Sequence, residues 1–385
     1  MLKHLFKREA DLFAHRPLLL FCIILAPVFC IVFFTSLMHE GLPTELPAGL
    51  VDEDDTQITR TIVRTIDAMQ ETKFTRKFAT FTEARTSMQR GEIYAFFHIP
   101  KGTTQKALAS KQPSVSFYTN ESYLIPGTLL MKDMRTISEM AGLALTRETL
   151  YAKGQTEKQA MGIIQPLVIE SHPIGNSCLD YSVYLSNILL PGIFILLVTL
   201  ATTYTIGLEW KRNTQKQWYE LAGNSVPLAL TGKLLPQTFI FSLIFLFLDV
   251  YLYKYMQFPC HGGLLSMATL GVLTVLASQA FGIFLFGLFI GKMRLSMCLC
   301  SLWGILAFSL AGFTYPVTAM DPVLKFMACL FPLRHYYLIY VNQALNGFPL
   351  ILAWKSIVGL LLFLLLPFTV IRRYRIAFLK QKYIP

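Results

Sequence analysis

The sequence predicts an α-helical membrane protein with six transmembrane helices and an α/β extracytoplasmic domain inserted between the first and second spans. Three observations carry that prediction. Of 385 residues, 54% are hydrophobic and only 15% charged, which excludes a wholly soluble chain. Six uncharged, apolar stretches approach the roughly 20 residues needed to cross a bilayer. Between the first two, residues 39–180 hold 32 of the 57 charged side chains and no spanning run, a length that can bury one core of its own.

Residues 1–16 are predicted to form an amphipathic helix. Leu2, Leu5, Phe6, Ala10, Leu12 and Phe13 share one helical face and Lys3, Lys7, Arg8 and Asp11 the other, as in a helix lying in the membrane interface. Glu9 falls in the apolar face, an awkward position that asks for a partner. A frayed basic start is the plainer reading. Residues 17–38 form the first span, read as a retained anchor because the run is too long for a cleaved signal and lacks a small-residue cleavage site.

Residues 39–180 alternate between strand and helix patterns. A strand at 47–52 precedes a helix behind a Thr56 cap, with Ile58, Ile62, Ile66 and Met69 at helical spacing. A short helix at 82–90, strands at 93–99 and 115–119, and a long helix at 125–152 complete an α/β pattern.

Residues 181–371 supply spans two to six, at 181–207, from 234 to about 248, 264–291, 295–314 and 355–371, and 372–385 form a basic tail. With both termini on one side, that side receives 15 Lys or Arg and four acids, the whole formal excess of +11. The positive-inside rule makes it cytoplasmic. The excess therefore records orientation and not a nucleic-acid partner; the partner it implies is the lipid bilayer.

Two connections stand out. The cytoplasmic loop 208–227 mixes charge with Trp210, Trp218, Tyr219 and Leu221, either an aromatic anchor for a protein partner or an interfacial aromatic belt. The outer segment 312–349 is apolar and broken by Pro316, Pro322, Pro332 and Pro349, so it reads as re-entrant helices, or else as an aromatic-rich surface loop. Gly287 and Gly291 form a small-xxx-small pair in the fourth span.

Catalytic chemistry finds little support. The seven Cys and seven His show no metal-ligand spacing, and acids are nearly absent from the spans. The segment LTGKLLP at 230–236 lacks the first glycine of a phosphate loop and carries Leu234 where Ser or Thr would hold magnesium. The chain is therefore expected not to be an enzyme, to bind no metal and to hold no cofactor.

Together these segments resemble the permeases of type-2 ATP-binding-cassette exporters, in the subgroup with a large extracytoplasmic domain after the first span. The resemblance rests on an elbow helix with the pair Arg8-Glu9, on AGLVDEDDTQITRTI and FFHIPKG in the external domain, on Glu209, Asn213-Thr214, Pro227 and Gly232-Lys233 around the second loop, and on Gly312-Phe313, Pro316, Met320-Asp321-Pro322 and Pro332-Leu333-Arg334-His335-Tyr336. Asn213 stands where the family usually has Gly.

The resemblance implies a permease that moves a hydrophobic or amphipathic substrate out of the cytoplasm or inner leaflet of a bacterial inner membrane. A separate ATPase subunit would hold ATP and Mg and dock on Glu209, Trp210, Lys211, Arg212, Asn213, Thr214, Trp218, Glu220 and Leu221. A second permease copy or a related permease, and a periplasmic adaptor, complete the implied partners. A receptor or envelope scaffold without transport activity is the alternative, although it gives no reason for the long cytoplasmic loop or the re-entrant segment.

Overall fold

In this computed structural model the described residues are 5, 6, 8, 9, 12, 16–39, 41–108, 114–152, 154–164, 172, 175, 176, 180–380 and 383. The chain divides into two compact units, Leu42–Ser171 and the combination of Met1–Gly41 with His172–Pro385.

The unit Leu42–Ser171 is built on a four-stranded sheet in the order β2-β1-β3-β4, with β1 Leu46–Asp52, β2 Thr72–Lys77, β3 Ala95–Ile99 and β4 Ser116–Thr119. β1 runs parallel to β2 and β3, whereas β3 and β4 are antiparallel. Parallel neighbours need crossovers, and helices Gln57–Asp67 and Phe81–Gln89 follow β1 and β2 as those connections. Alternation along β1 feeds two cores: Leu50 packs with Ile66, Phe97 and Met134, and Val51 with Ala84, Ile93 and Phe96. Gly49 is required in that strand, since a Cβ there would lie 2.7 Å from the Phe78 ring and 2.8 Å from Ile93.

Thr56 caps the first crossover helix as expected, its hydroxyl accepting from Thr59 N at 3.3 Å. The expected face is met in part: Ile62 and Ile66 pack in the core together with Val63 and Thr59, whereas Ile58 is exposed and Met69 lies beyond the helix end. In the same turn after β1, Asp54 accepts hydrogen bonds from Gly102 N and Thr104 N at 2.8 Å each. The acidic turn and the FFHIPKG turn are thus one structure.

The other unit is helical. We label its elements α1 Ala26–Leu37, α2 Tyr181–Lys211, α3 Gln215–Leu221, α4 Val226–Val250, α5 Leu264–Leu288, α6 Met293–Leu310, α7 Pro322–Ala328, α8 Pro332–Tyr340, α9 Trp354–Phe363 and α10 Leu366–Lys380. Among the described residues five helices are long and apolar enough to cross a membrane: Tyr181–Lys211, Val226–Tyr255, Leu264–Leu288, Met293–Leu310 and Leu350–Lys380. The remaining apolar stretch forms a shorter helix, Phe21–Leu37. α5 is the most enclosed of the five and packs against α2, α4 and α10.

Two sequence expectations need correction here. α4 begins eight residues before the expected third span and continues through a π-helical turn, Tyr251–Tyr255, so both Lys233 and Asp249 lie within the helix and not in loops. Gly291 is beyond the end of α5 with φ +84° and cannot pair with Gly287 on one face. Gly287 instead admits Val370, whose Cβ a side chain at 287 would approach to 2.7 Å. The basic tail is helical to Lys380, with Tyr374, Ala377 and Phe378 buried.

Candidate functional site

The densest charge cluster lies where the N-terminal helical residues meet α2, α3 and α4. α2 ends at Lys211, and Asn213 then adopts φ 57°. This left-handed conformation suits Gly or Asn, which accounts for Asn213 where the resembling family has Gly. The reversal lets Thr214 N bond to Glu209 O at 2.9 Å and its hydroxyl to the Glu209 carboxylate. α3 then runs to Leu221, and Gly223 and Asn224, both at positive φ, return the chain to α4.

Lys233, about two turns into α4, closes the cluster. Its Nζ donates to Glu209 Oε1 at 2.7 Å and to Glu9 Oε2 at 2.9 Å. Arg8 reaches both oxygens of Glu209, at 3.0 and 3.1 Å, and Glu9 at 3.2 Å. Glu9, Glu209 and Lys233 are all less than 5% exposed, so each buried charge has an opposite partner, as burial requires. Gly232 makes the approach feasible: a Cβ there would stand 2.8 Å from Leu5 Cδ1. The awkward Glu9 thus has its partner, 224 residues away in the sequence. The expected contributions of Leu2, Ala10, Phe13, Lys3, Lys7 and Asp11 fall outside the described residues.

A second, aromatic layer lies beneath the charges. Trp210 and Trp218 are fully buried and meet edge to face at 6.3 Å, while Phe378 of α10 stacks on Tyr219 at 4.7 Å and touches both indoles. Trp218 Nε1 donates to Ala229 O at 3.2 Å, and Lys233 Nζ lies 5.0 Å from its ring centroid, within cation–π range. The expected aromatic anchor for a partner is therefore corrected. Trp210 and Trp218 serve the interior of this chain, and their partners, Phe378, Tyr374 and Phe286, come from segments too distant in sequence for spacing to reveal. What faces outward around α3 is Lys211, Arg212, Asn213, Lys216, Gln217, Glu220 and Leu221.

At the other connection, residues 312–349 form helical pieces. Gly312 takes φ 103°, and Arg334 Nη1 donates to Ala311 O at 3.2 Å beside it. Tyr184 OH donates to the Phe313 carbonyl at 2.5 Å. α7 packs against α6, a short turn leads to Pro332 at the start of α8, and Tyr336 is buried, its ring 5.8 Å from Phe245 of α4. Met320 is buried as well, whereas Pro316 is exposed. α8 packs against α2, α5, α6 and α9.

Spanning-length helices around a shared apolar core, with this charged junction at one end, define a multi-pass membrane protein. The chain belongs to the ABC-2 transporter family: the family model described as ABC-2 family transporter protein matches residues 17–372. It is accordingly a permease subunit of an ABC transporter, a membrane transport subunit that is not itself catalytic, and the family implies an ATPase partner. No curated protein and no solved structure matches the chain.

Proposed function

We propose that this permease is an exporter that carries a hydrophobic or amphipathic substrate from the cytoplasm or inner leaflet across a bacterial inner membrane, using ATP and Mg held by a separate ATPase subunit. The observation that carries the reading is the junction of Arg8, Glu9, Glu209 and Lys233, which ties the start of the chain, α2, α3 and α4 into one piece. A force applied to α3 reaches two long helices and the N-terminal helix together, the requirement for rigid-body coupling.

In this reading the chain has six spans with both termini in the cytoplasm, the unit Leu42–Ser171 lies outside, and the ATPase docks on the exposed face of α3. α1 and α6 expose Phe29, Val32, Leu302 and Ile305, apolar surface suited to a second permease copy and to an apolar substrate path between copies. A periplasmic adaptor would take the cargo from the external unit.

Reconstitution tests the direction. Proteoliposomes holding the permease and its ATPase, with ATP supplied on the face that carries α3, should move a lipophilic fluorescent substrate away from that face. A bound, active ATPase with no ATP-dependent movement of any hydrophobic or amphipathic probe would favour the scaffold alternative.

A further inference from the structure

Lys233 has a counterpart near the opposite end of the same helix. Asp249 is 1% exposed and lies sixteen residues further on, about 24 Å along α4 at 1.5 Å per residue. Unlike Lys233, among the described residues it has no ion-pair partner from Lys, Arg or His, and its Oδ2 is buried without a hydrogen bond. A carboxyl group inside a spanning helix is costly and, by default, functional.

The surroundings are rich in oxygen and poor in charge. Tyr253, one turn further, donates to Asn187 Oδ1 at 3.0 Å, and Asn187 Nδ2 in turn binds Val183 O. Asp249 is within electrostatic reach of Tyr253, Tyr336 and the Cys260 thiol, and Tyr340 is within reach of Tyr253, Tyr336 and Cys260. The Tyr340 hydroxyl is a second buried group with no hydrogen-bond partner. These side chains come from α2, α4 and its π-helical continuation, the following loop, and α8; Lys254 of the π-helical turn acts on Cys260, and among the described residues it forms no ion pair with Asp249. Both helices that supply the unpartnered groups pass into π-helical turns, Tyr251–Tyr255 after α4 and Val341–Leu345 after α8, a distortion concentrated at functional sites.

We propose that Asp249 is a binding site for one small monovalent cation, which neutralises the carboxylate and holds this end of α4 against α8, where Phe245 meets Tyr336. A proton and a sodium ion share that chemistry. Loss of the cation leaves an uncompensated charge in the bundle and loosens α8, so the site links the packing of α8 to the ions around the membrane.

The purified full-length chain in lipid nanodiscs tests this by thermal unfolding, with sodium chloride exchanged for choline chloride at constant ionic strength and, separately, with pH stepped between neutral and alkaline. The wild-type Tm is expected to rise with sodium, which assigns a metal cation, or with the return to neutral pH in choline, which assigns a proton. Asp249→Asn should abolish that response, and Asp321→Asn, at an exposed acid before α7, should keep it. A wild-type Tm indifferent to both exchanges, or a response that survives Asp249→Asn, overturns the proposal. Should Asp249→Asn fail to fold, infrared difference spectra of the wild-type chain labelled with 13C-aspartate decide over the same exchanges. A changed aspartate carboxyl band supports the site, and unchanged bands overturn it.

Discussion

Lys233 and Glu209 meet at 2.7 Å with side chains 3% and 5% exposed, and the same ammonium group also holds Glu9. One cation thus balances two buried carboxylates, helped by Arg8 from the more exposed side. Removing it leaves charges that water cannot reach. Lys233→Met should cost about 3–5 kcal/mol, the usual penalty for breaking a buried pair, and the Glu9→Gln, Lys233→Met double variant should recover part of it. Denaturant unfolding in mild detergent measures both.

Trp218 is predicted to matter for folding before it matters for any partner. Its ring fills the space between Trp210, Phe378 and Lys233, and truncation to Ala should cost about 3–5 kcal/mol. Phe378→Ala should fall in the same range although it lies in the C-terminal segment. Leu221→Ala, at an exposed position, should leave the Tm within a degree or two of wild type, as surface changes usually do.

Gly287 sets how closely α5 and α10 approach. With Val370 Cβ 2.7 Å from any added Cβ and Tyr374 at 3.0 Å, Gly287→Val should cost about 1–3 kcal/mol through overpacking. Pairing it with Val370→Ala should restore part of the loss, and parallel thermal scans of the two variants read out the coupling.

The unit Leu42–Ser171 carries a pH dependence of its own. Burial, together with the neighbouring Glu71 carboxyl, pushes Asp133 up to about 6, while Glu71, hydrogen-bonded to Asp133, is lowered. Asp133 also accepts from the Thr72 hydroxyl at 2.8 Å. A raised carboxyl holds its proton longer folded than unfolded, so its stabilising effect is complete in acid and is lost as pH rises towards about 6. Amide hydrogen exchange in strand β2, corrected for intrinsic rates, should show protection falling over that interval in the wild type. Asp133→Asn should flatten the fall.

How much was legible follows from what each signal depends on. Three strands and the crossover helices of 42–171 announced themselves through local period, and the Thr56 cap through a side chain three residues from its partner, whereas β2, the short polar strand Thr72–Lys77, was not read as one. Lys233 and Asp249 were misplaced because hydropathy ends a span at the first charge, whereas a helix continues wherever its buried charge is paired or accommodated. The two tryptophans read as an aromatic anchor or an interfacial belt because their partners, Phe286 and Phe378, are about 70 to 170 residues away, beyond any local pattern. Asn213 looked like a departure from the family until its positive φ showed one backbone shape served by two residue types.

The central claim is that the exposed face of α3 receives the ATPase while the buried junction behind it transmits the motion. Co-purification of the ATPase with a permease carrying Lys211→Glu, Arg212→Glu and Lys216→Glu tests it most directly, because all three side chains are exposed and outside the buried network. The account predicts an unchanged permease Tm and loss of the bound ATPase. Full retention of the ATPase, with substrate-dependent ATP turnover unaltered, would contradict it.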